Sequence, residues 1–303
     1  MAASLELKNL TKYFGKRKVV DDITLSVNSG EVFGFLGPNG AGKTTTIKLV
    51  MGFLKPDGGE IIIGGESLSK HYEKAMSYLG GIVENPEMYG YLSGRKNLEM
   101  YARLHNGVPK RRVDECLELV GMSGRAGEKV KRYSLGMKQR IGLAQALVHR
   151  PKVLILDEPT NGLDPAGIKE LRDILKRLAH EEDVAVMVSS HMLSEMELMC
   201  DRVGIIDAGR LIGVRPVHDA SGGEKYRFAV DNPSAAAAAL EDKTAFRCEI
   251  TDDMLVVSAQ RDSVPDIVAL LVSQGIKIYG IGKKEDSLEE TFIKITGGGL
   301  TIA

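Results

Sequence analysis

Gly37-Pro38-Asn39-Gly40-Ala41-Gly42-Lys43-Thr44-Thr45 is the stretch whose reading decides the fold. Ahead of it stands Val32-Phe33-Gly34-Phe35-Leu36, an apolar run of buried-strand type. Behind it Thr46-Ile47-Lys48-Leu49-Val50-Met51 fits the first turns of a helix. A glycine-rich loop between strand and helix is the context in which G-x-x-x-x-G-K-T binds phosphate. The glycines let the backbone curl until successive N–H groups face one anion, and the helix start adds partial positive charge at the same point. In that setting Lys43 reaches the β- and γ-phosphates of a nucleotide, and the Thr44 hydroxyl holds Mg²⁺.

Length and composition set the outer limits. A chain of 303 residues is long enough for a sizeable core and two domains. A formal net charge of −1 gives no push toward nucleic acid or anionic lipid. Cys116, Cys200 and Cys248 are far apart and odd in number, so they read as small buried side chains in a reducing compartment. The first residues lack the basic-then-apolar layout of a signal peptide. No uncharged apolar run approaches the ~20 residues needed to cross a bilayer, so any action at a membrane needs a second chain to span it.

Outward from the loop, Leu5 to Leu10 and Val19 to Val27 read as strands. Between them Tyr13 and Phe14 stand in a polar stretch, where either suits a stacked purine or a core plug. Glu60 to Ile63 is another strand. Leu79 to Val83 is a short apolar run ending in Glu84-Asn85-Pro86. Residues 93–107 and 109–121 read as helices. A third is opened by Ser134, a good N-cap whose free N–H groups form a second anion-binding end. Val153 to Leu156 has the continuous apolar character of a parallel strand buried on both faces, and it delivers Asp157 and Glu158. Adjacent carboxylates at a strand's C-terminal end belong in a ligand crevice. A helix over 166–180 leads to the strand 184–188, which delivers Ser189-Ser190-His191 to the same edge. Residues 203–214 close the unit as a hairpin.

Around 215–224 the composition shifts to that of a linker. Beyond it the pattern predicts strand 225–231, helix 233–241, strands 246–250 and 254–258, helix 264–274, strand 276–281 and a last helix 287–295. That is the β-α-β-β-α-β order of a ferredoxin-like split fold, with no clustered polar constellation. It reads as a regulatory or docking domain with a loose tail.

Residues about 4 to 220 resemble the nucleotide-binding subunit of an ATP-binding-cassette transporter. Gly37 to Thr45 is similar to the Walker A loop, and Val153 to Glu158 to Walker B with its following glutamate. Gly162-Leu163-Asp164 resembles the D-loop, His191 the switch histidine, and Phe14 the adenine-stacking aromatic. The resemblance implies an α/β P-loop NTPase fold of ABC type over residues 1–218, with a helical subdomain, and a small α+β domain over 219–303. It implies ATP and Mg²⁺ as ligands, with the nucleotide on Phe14, Gly37, Pro38, Asn39, Gly40, Ala41, Gly42, Lys43, Thr44 and Thr45. Ser134 and Gly136 of a second copy would complete the site. Thr44, Glu84 and Asp157 would serve the metal. Glu158 would be the general base, with Lys43 and His191 beside it.

Two positions depart from the family's usual text. The signature Leu-Ser-Gly-Gly-Gln is Tyr133-Ser134-Leu135-Gly136-Met137 here, and Glu84 stands where the Q-loop glutamine is expected. Both departures are similar to the bacitracin-resistance subgroup of ABC-2 exporters, as is Ser287 to Phe292. The implied protein is a homodimeric ATPase motor, peripheral on the cytoplasmic face of the membrane, driving a separate permease and binding no nucleic acid. A soluble ABC ATPase of DNA repair or translation is the competing reading. It is opposed by the single phosphate loop and by the lack of a heptad run between Thr46 and Arg132.

Overall fold

The computed structural model describes residues 3–217, 225–244, 246–251 and 253–284. They belong to two compact units, the first running to Val217.

The first unit holds β1 (Ala3–Phe14), β2 (Arg17–Asn28), β3 (Val32–Leu36), α1 (Lys43–Val50), β4 (Gly58–Ile63), β5 (Glu66–Ser67), α2 (Tyr72–Ser77), β6 (Leu79–Ile82), α3 (Gly94–Ala102), α4 (Arg111–Leu119), α5 (Leu135–Leu147), β7 (Val153–Asp157), α6 (Pro165–Glu182), β8 (Ala185–Ser190), α7 (Leu193–Met199), β9 (Arg202–Asp207) and β10 (Arg210–Pro216). One sheet runs β2-β1-β4-β5 and is antiparallel. The other runs β10-β9-β3-β8-β7-β6; every neighbour in it is parallel except β10. Every residue of β3, β7 and β8 is buried, as their continuous apolar text requires of strands covered on both faces. The core joins both sheets: Leu5, Leu7 and Ile63 from one meet Phe33, Phe35, Ile155 and Met187 from the other, with Ile47 of α1. The carboxyl ends of β3, β6, β7 and β8 therefore open on one edge, where ligand crevices form in parallel sheets.

Several boundaries differ from the sequence expectation. The strand expected over 5–10 extends to Phe14 and pairs with β2 to its tip, where Phe14 faces Arg17. Tyr13 and Phe14 are 44% and 49% exposed there, so neither is a core plug. The helices expected over 93–107 and 109–121 are shorter, because residues 103–110 form turns. The short elements β5, α2 and α7 were not expected; two to seven residues carry too little periodicity to read. Between Thr46 and Arg132 no helix exceeds nine residues, which leaves no coiled-coil arm in this span.

Helices α3, α4 and α5 pack on one another, and Leu98, Val113, Cys116, Leu117 and Ile141 on them are buried. Asn97 fixes the approach to α3. It is fully buried and spends its amide on Tyr89 N–H, Tyr89 carbonyl and Ser93 carbonyl. Burial pushes the Cys116 thiol up to about 11, so it behaves as an inert small side chain.

The second unit holds β11 (Lys225–Val230), α8 (Pro233–Lys243), β12 (Arg247–Thr251), β13 (Met254–Ser258), α9 (Val264–Ser273) and β14 (Ile278–Lys284). Its sheet order is β12-β13-β11-β14, antiparallel throughout, the split order expected from the sequence. Phe228, Leu255 and Val257 meet Ala236, Leu240, Ile267 and Leu271 of the helices in one core. The expected last helix and tail lie outside the described residues.

A histidine pair seals α5 against β6. The rings of His105 and His149 stack with centroids 4.2 Å apart. His149 Nε2 donates to the Leu79 carbonyl at 3.0 Å, while its Nδ1 is buried without a partner. Burial holds both rings below their ordinary value of 6.5; for His149 the neighbouring His105 and Arg112 add to it, opposed by the Leu79 bond. A base depressed in the folded state binds more protons unfolded, so this contribution is complete above pH about 6.5 and is lost as the pH falls through the folded values. The stability difference between wild type and His149→Gln, which keeps a donor and cannot titrate, is expected to shrink from pH 7.5 to pH 5. Urea unfolding at both pH values measures it.

Candidate active site

The phosphate loop is held by backbone from three directions. Gly37 N–H reaches the Ser190 carbonyl at 3.4 Å. A Cβ on Gly37 would lie 2.3 Å from the Ile206 carbonyl oxygen, so only glycine passes there. Gly42 has φ +107°, and a Cβ on it would stand 2.8 Å from the Val19 carbonyl. The Ala41 carbonyl accepts from Gly209 at 2.9 Å, and the Gly209 carbonyl accepts from Asp21 at 2.8 Å. Asn39 and Gly40 stand exposed at the crest, with Pro38 half-buried beside them, while Thr44 and Thr45 are half-buried at the helix start.

Lys43 is buried, and its ammonium donates to the Gly37 carbonyl at 2.7 Å and the Pro38 carbonyl at 3.2 Å. It also lies 3.6 Å from Glu158 Oε1. Burial draws its pKa down, and the charges of Glu158 and Asp157 work against that.

Asp157 ends β7 and is 3% exposed. The Ser189 hydroxyl donates to Asp157 Oδ1 at 2.6 Å and accepts from Glu158 N–H at 2.9 Å. Glu158 then takes φ +47°, a left-handed conformation uncommon for a residue with a Cβ. Its Oε2 accepts from Asn161 Nδ2 at 2.6 Å and lies 3.3 Å from His191 Nδ1. Lys43, Asp157, Glu158 and His191 thus form one cluster around the loop. Ser189 and Asn161 escaped the sequence reading as site residues; the only signal was two serines closing an otherwise apolar strand.

The remaining expected residues stand elsewhere. Ser134 caps α5, its hydroxyl accepting from Met137 N–H at 3.3 Å. The start of α5 lies against the loop after β7: a Cβ on Gly136 would be 3.5 Å from Leu163, and one on Gly162 would be 2.6 Å from Leu135. Phe14 sits at the hairpin tip, with the Lys12 ammonium 5.9 Å from its ring centroid. Glu84 is left-handed at φ +62°, and its Oε1 lies 2.8 Å from Lys48 Nζ. Among the described residues, no hydrogen bond or ion pair ties Phe14, Glu84 or Ser134 to the Lys43 cluster.

The ABC transporter family profile matches residues 20–161. The chain is 51% identical over 299 residues to the uncharacterized ABC transporter ATP-binding protein YhcH of Bacillus subtilis, covering 98% of this chain and 97% of that one. It is 41% identical over 303 residues to the bacitracin transport ATP-binding protein BcrA of Bacillus licheniformis, covering 99% of each. A solved ATP-binding subunit of an ABC transporter superposes with a TM-score of 0.63 at 31% identity, over 70% of this chain and 89% of that one. With the phosphate loop, the carboxylate pair and the histidine gathered at one sheet edge, and with relatives matched end to end, the chain belongs to the ATP-binding, ATP-hydrolysing subunits of the ABC transporter family.

Proposed function

We propose that this chain is the motor of a two-component exporter, working as a head-to-tail pair on the cytoplasmic face of a membrane beneath a separate permease. The observation that carries the reading is the Glu158 carboxylate, lying between Lys43 and His191. A base needs a fixed direction, and Asn161 and the left-handed backbone supply it. Glu158 takes the proton of the attacking water. Lys43 and the loop N–H groups stabilise charge on the transferred phosphoryl, and His191 steadies Glu158 and the γ-phosphate. The exposed Phe14 suits the adenine ring.

Thr44 and Asp157 offer hard oxygen donors beside the phosphate position, which fits Mg²⁺ shared with a nucleotide. Bound there, Mg²⁺ would neutralise phosphate charge; Glu84, engaged by Lys48, is the less direct ligand. The open start of α5, capped by Ser134 with Gly136 beside it, is a second anion-binding end that a partner copy would bring to the γ-phosphate. Hydrolysis then removes what both copies hold, and the pair opens. In this scheme residues 1–218 are the cassette and 219–303 an accessory domain.

A cleft of about 480 Å³ beside Glu84, lined by Met51, Phe53, Pro86, Tyr101 and Gln145, suits the tip of a permease's cytoplasmic helix. The membrane partner is supported by the transporter relatives. BcrA's role in bacitracin transport supports antibiotic export as the task.

Glu158→Gln is expected to lower phosphate release by about a hundredfold or more, with ATP binding retained. Size-exclusion chromatography of this variant at saturating Mg-ATP should show a dimer; a monomer in the presence of the permease would end the head-to-tail scheme. Phe53→Asp, at a residue 64% exposed, should reduce co-sedimentation with membranes of the source cells by about tenfold while basal ATP hydrolysis persists.

A further inference from the structure

We propose that Glu195 is a positioning residue for ATP hydrolysis: one buried carboxylate that locks together the loop carrying Glu158 and the loop carrying His191. The inference rests on the reading of Glu158 as the base. Glu195 lies on α7 and is 9% exposed. Its Oε2 accepts from the Thr160 hydroxyl at 2.7 Å and from the Ser190 hydroxyl at 3.1 Å. Both donors are themselves buried, Thr160 at 5% and Ser190 at 2% exposure. Ionised, a carboxylate only accepts, so one oxygen can hold two hydroxyls from different elements.

The two hydroxyls come from strategic places. Thr160 precedes Asn161, the residue that holds Glu158 Oε2, and its carbonyl accepts from Leu163 N–H at 3.0 Å. Ser190 precedes His191. Its hydroxyl also accepts from Met192 N–H at 2.9 Å, and its carbonyl receives the Gly37 N–H that begins the phosphate loop. The separation of 3.3 Å between His191 and Glu158 is thus set through Glu195. No ion pair is recorded for Glu195 among the described residues. A buried carboxylate without a cation is costly, and an apolar side chain of similar size would serve packing better.

The test uses the full chain and steady-state ATP hydrolysis, with nucleotide binding followed by a fluorescent ATP analogue. Glu195→Ala should lower kcat by tenfold or more, with the affinity for nucleotide, made by residues 37–45, changed less than about twofold. Glu195→Gln, which keeps one acceptor oxygen, should recover most of the rate. Thr160→Val leaves Glu195 in place and removes one donor; it should show part of the same kcat loss, and it carries the test if Glu195→Ala does not fold. Unchanged kcat in Thr160→Val and Glu195→Ala would overturn the proposal. So would kcat and affinity falling together in step with the melting temperature, the mark of a merely structural role. Should Glu158→Gln retain full turnover, the fault would lie with the base assignment; loss in Glu158→Gln beside an unaffected Glu195→Ala would reject the positioning role alone.

Discussion

The register of three parallel strands, β3, β8 and β7, is the constraint on which the site depends. Leu36 pairs with Ser190 and Phe35 with Ser189; Asp157 pairs with Ser189 in turn. That alignment brings the first N–H of the phosphate loop to the Ser190 carbonyl and the Ser189 hydroxyl to Asp157. A slip of one residue would exchange the faces of the strand and separate these groups. The register is held by burial: each of the three strands is covered on both sides, so any slip would also drive Ser189 or Asp157 to a new packing position. The geometry of the candidate site and the packing of the core are here the same requirement.

The electrostatics follow from the same crowding. Two carboxylates and one ammonium lie at the carboxyl edge, with Lys43 tied to two loop carbonyls as well as facing Glu158. Each of the two carboxylates is partly answered by the ammonium or by a neutral donor: Asp157 by the Ser189 hydroxyl, Glu158 by the Asn161 amide and Lys43. In the proposed scheme the anion is met by the loop N–H groups, the start of α1 and a lysine whose desolvation strengthens its interactions. Such a site binds phosphate without a large net positive charge, consistent with a chain of net charge −1.

What could be read from the sequence, and what could not, divides by range. The strand–loop–helix around Lys43, the apolar run delivering Asp157 and the cap at Ser134 are local patterns, and each is present as expected. The split order of the second unit was likewise written in alternating short patterns. By contrast, the contact of Ser189 with Asp157 spans 32 residues, and that of Glu195 with Thr160 spans 35. Nothing local distinguishes such a serine or glutamate from one facing solvent. Glu195 was further hidden because α7 has seven residues, too few for a helical period to declare itself. The full length of β1 was hidden for a different reason: the bulges in the β1–β2 pairing break the alternation that would have revealed a strand reaching Phe14.

The charge of Glu84 is answered at a distance from the Lys43 cluster. Helix α1 begins at Lys43 among the carboxylates, and Lys48 follows about 7.5 Å along its axis. There its ammonium meets Glu84 at 2.8 Å, at the rim of the cleft. An amide at position 84 would keep an acceptor oxygen for Lys48 and lose only the attraction of opposite charges. The pair is open to solvent, with side chains 35% and 63% exposed, and such pairs contribute at most about 1 kcal/mol. A contact of that strength is readily made and broken. Helix α1 therefore connects a buried charge cluster at its start to a solvent-exposed ion pair near its end, while Pro86, on the same loop as Glu84, packs on Gly142 of α5.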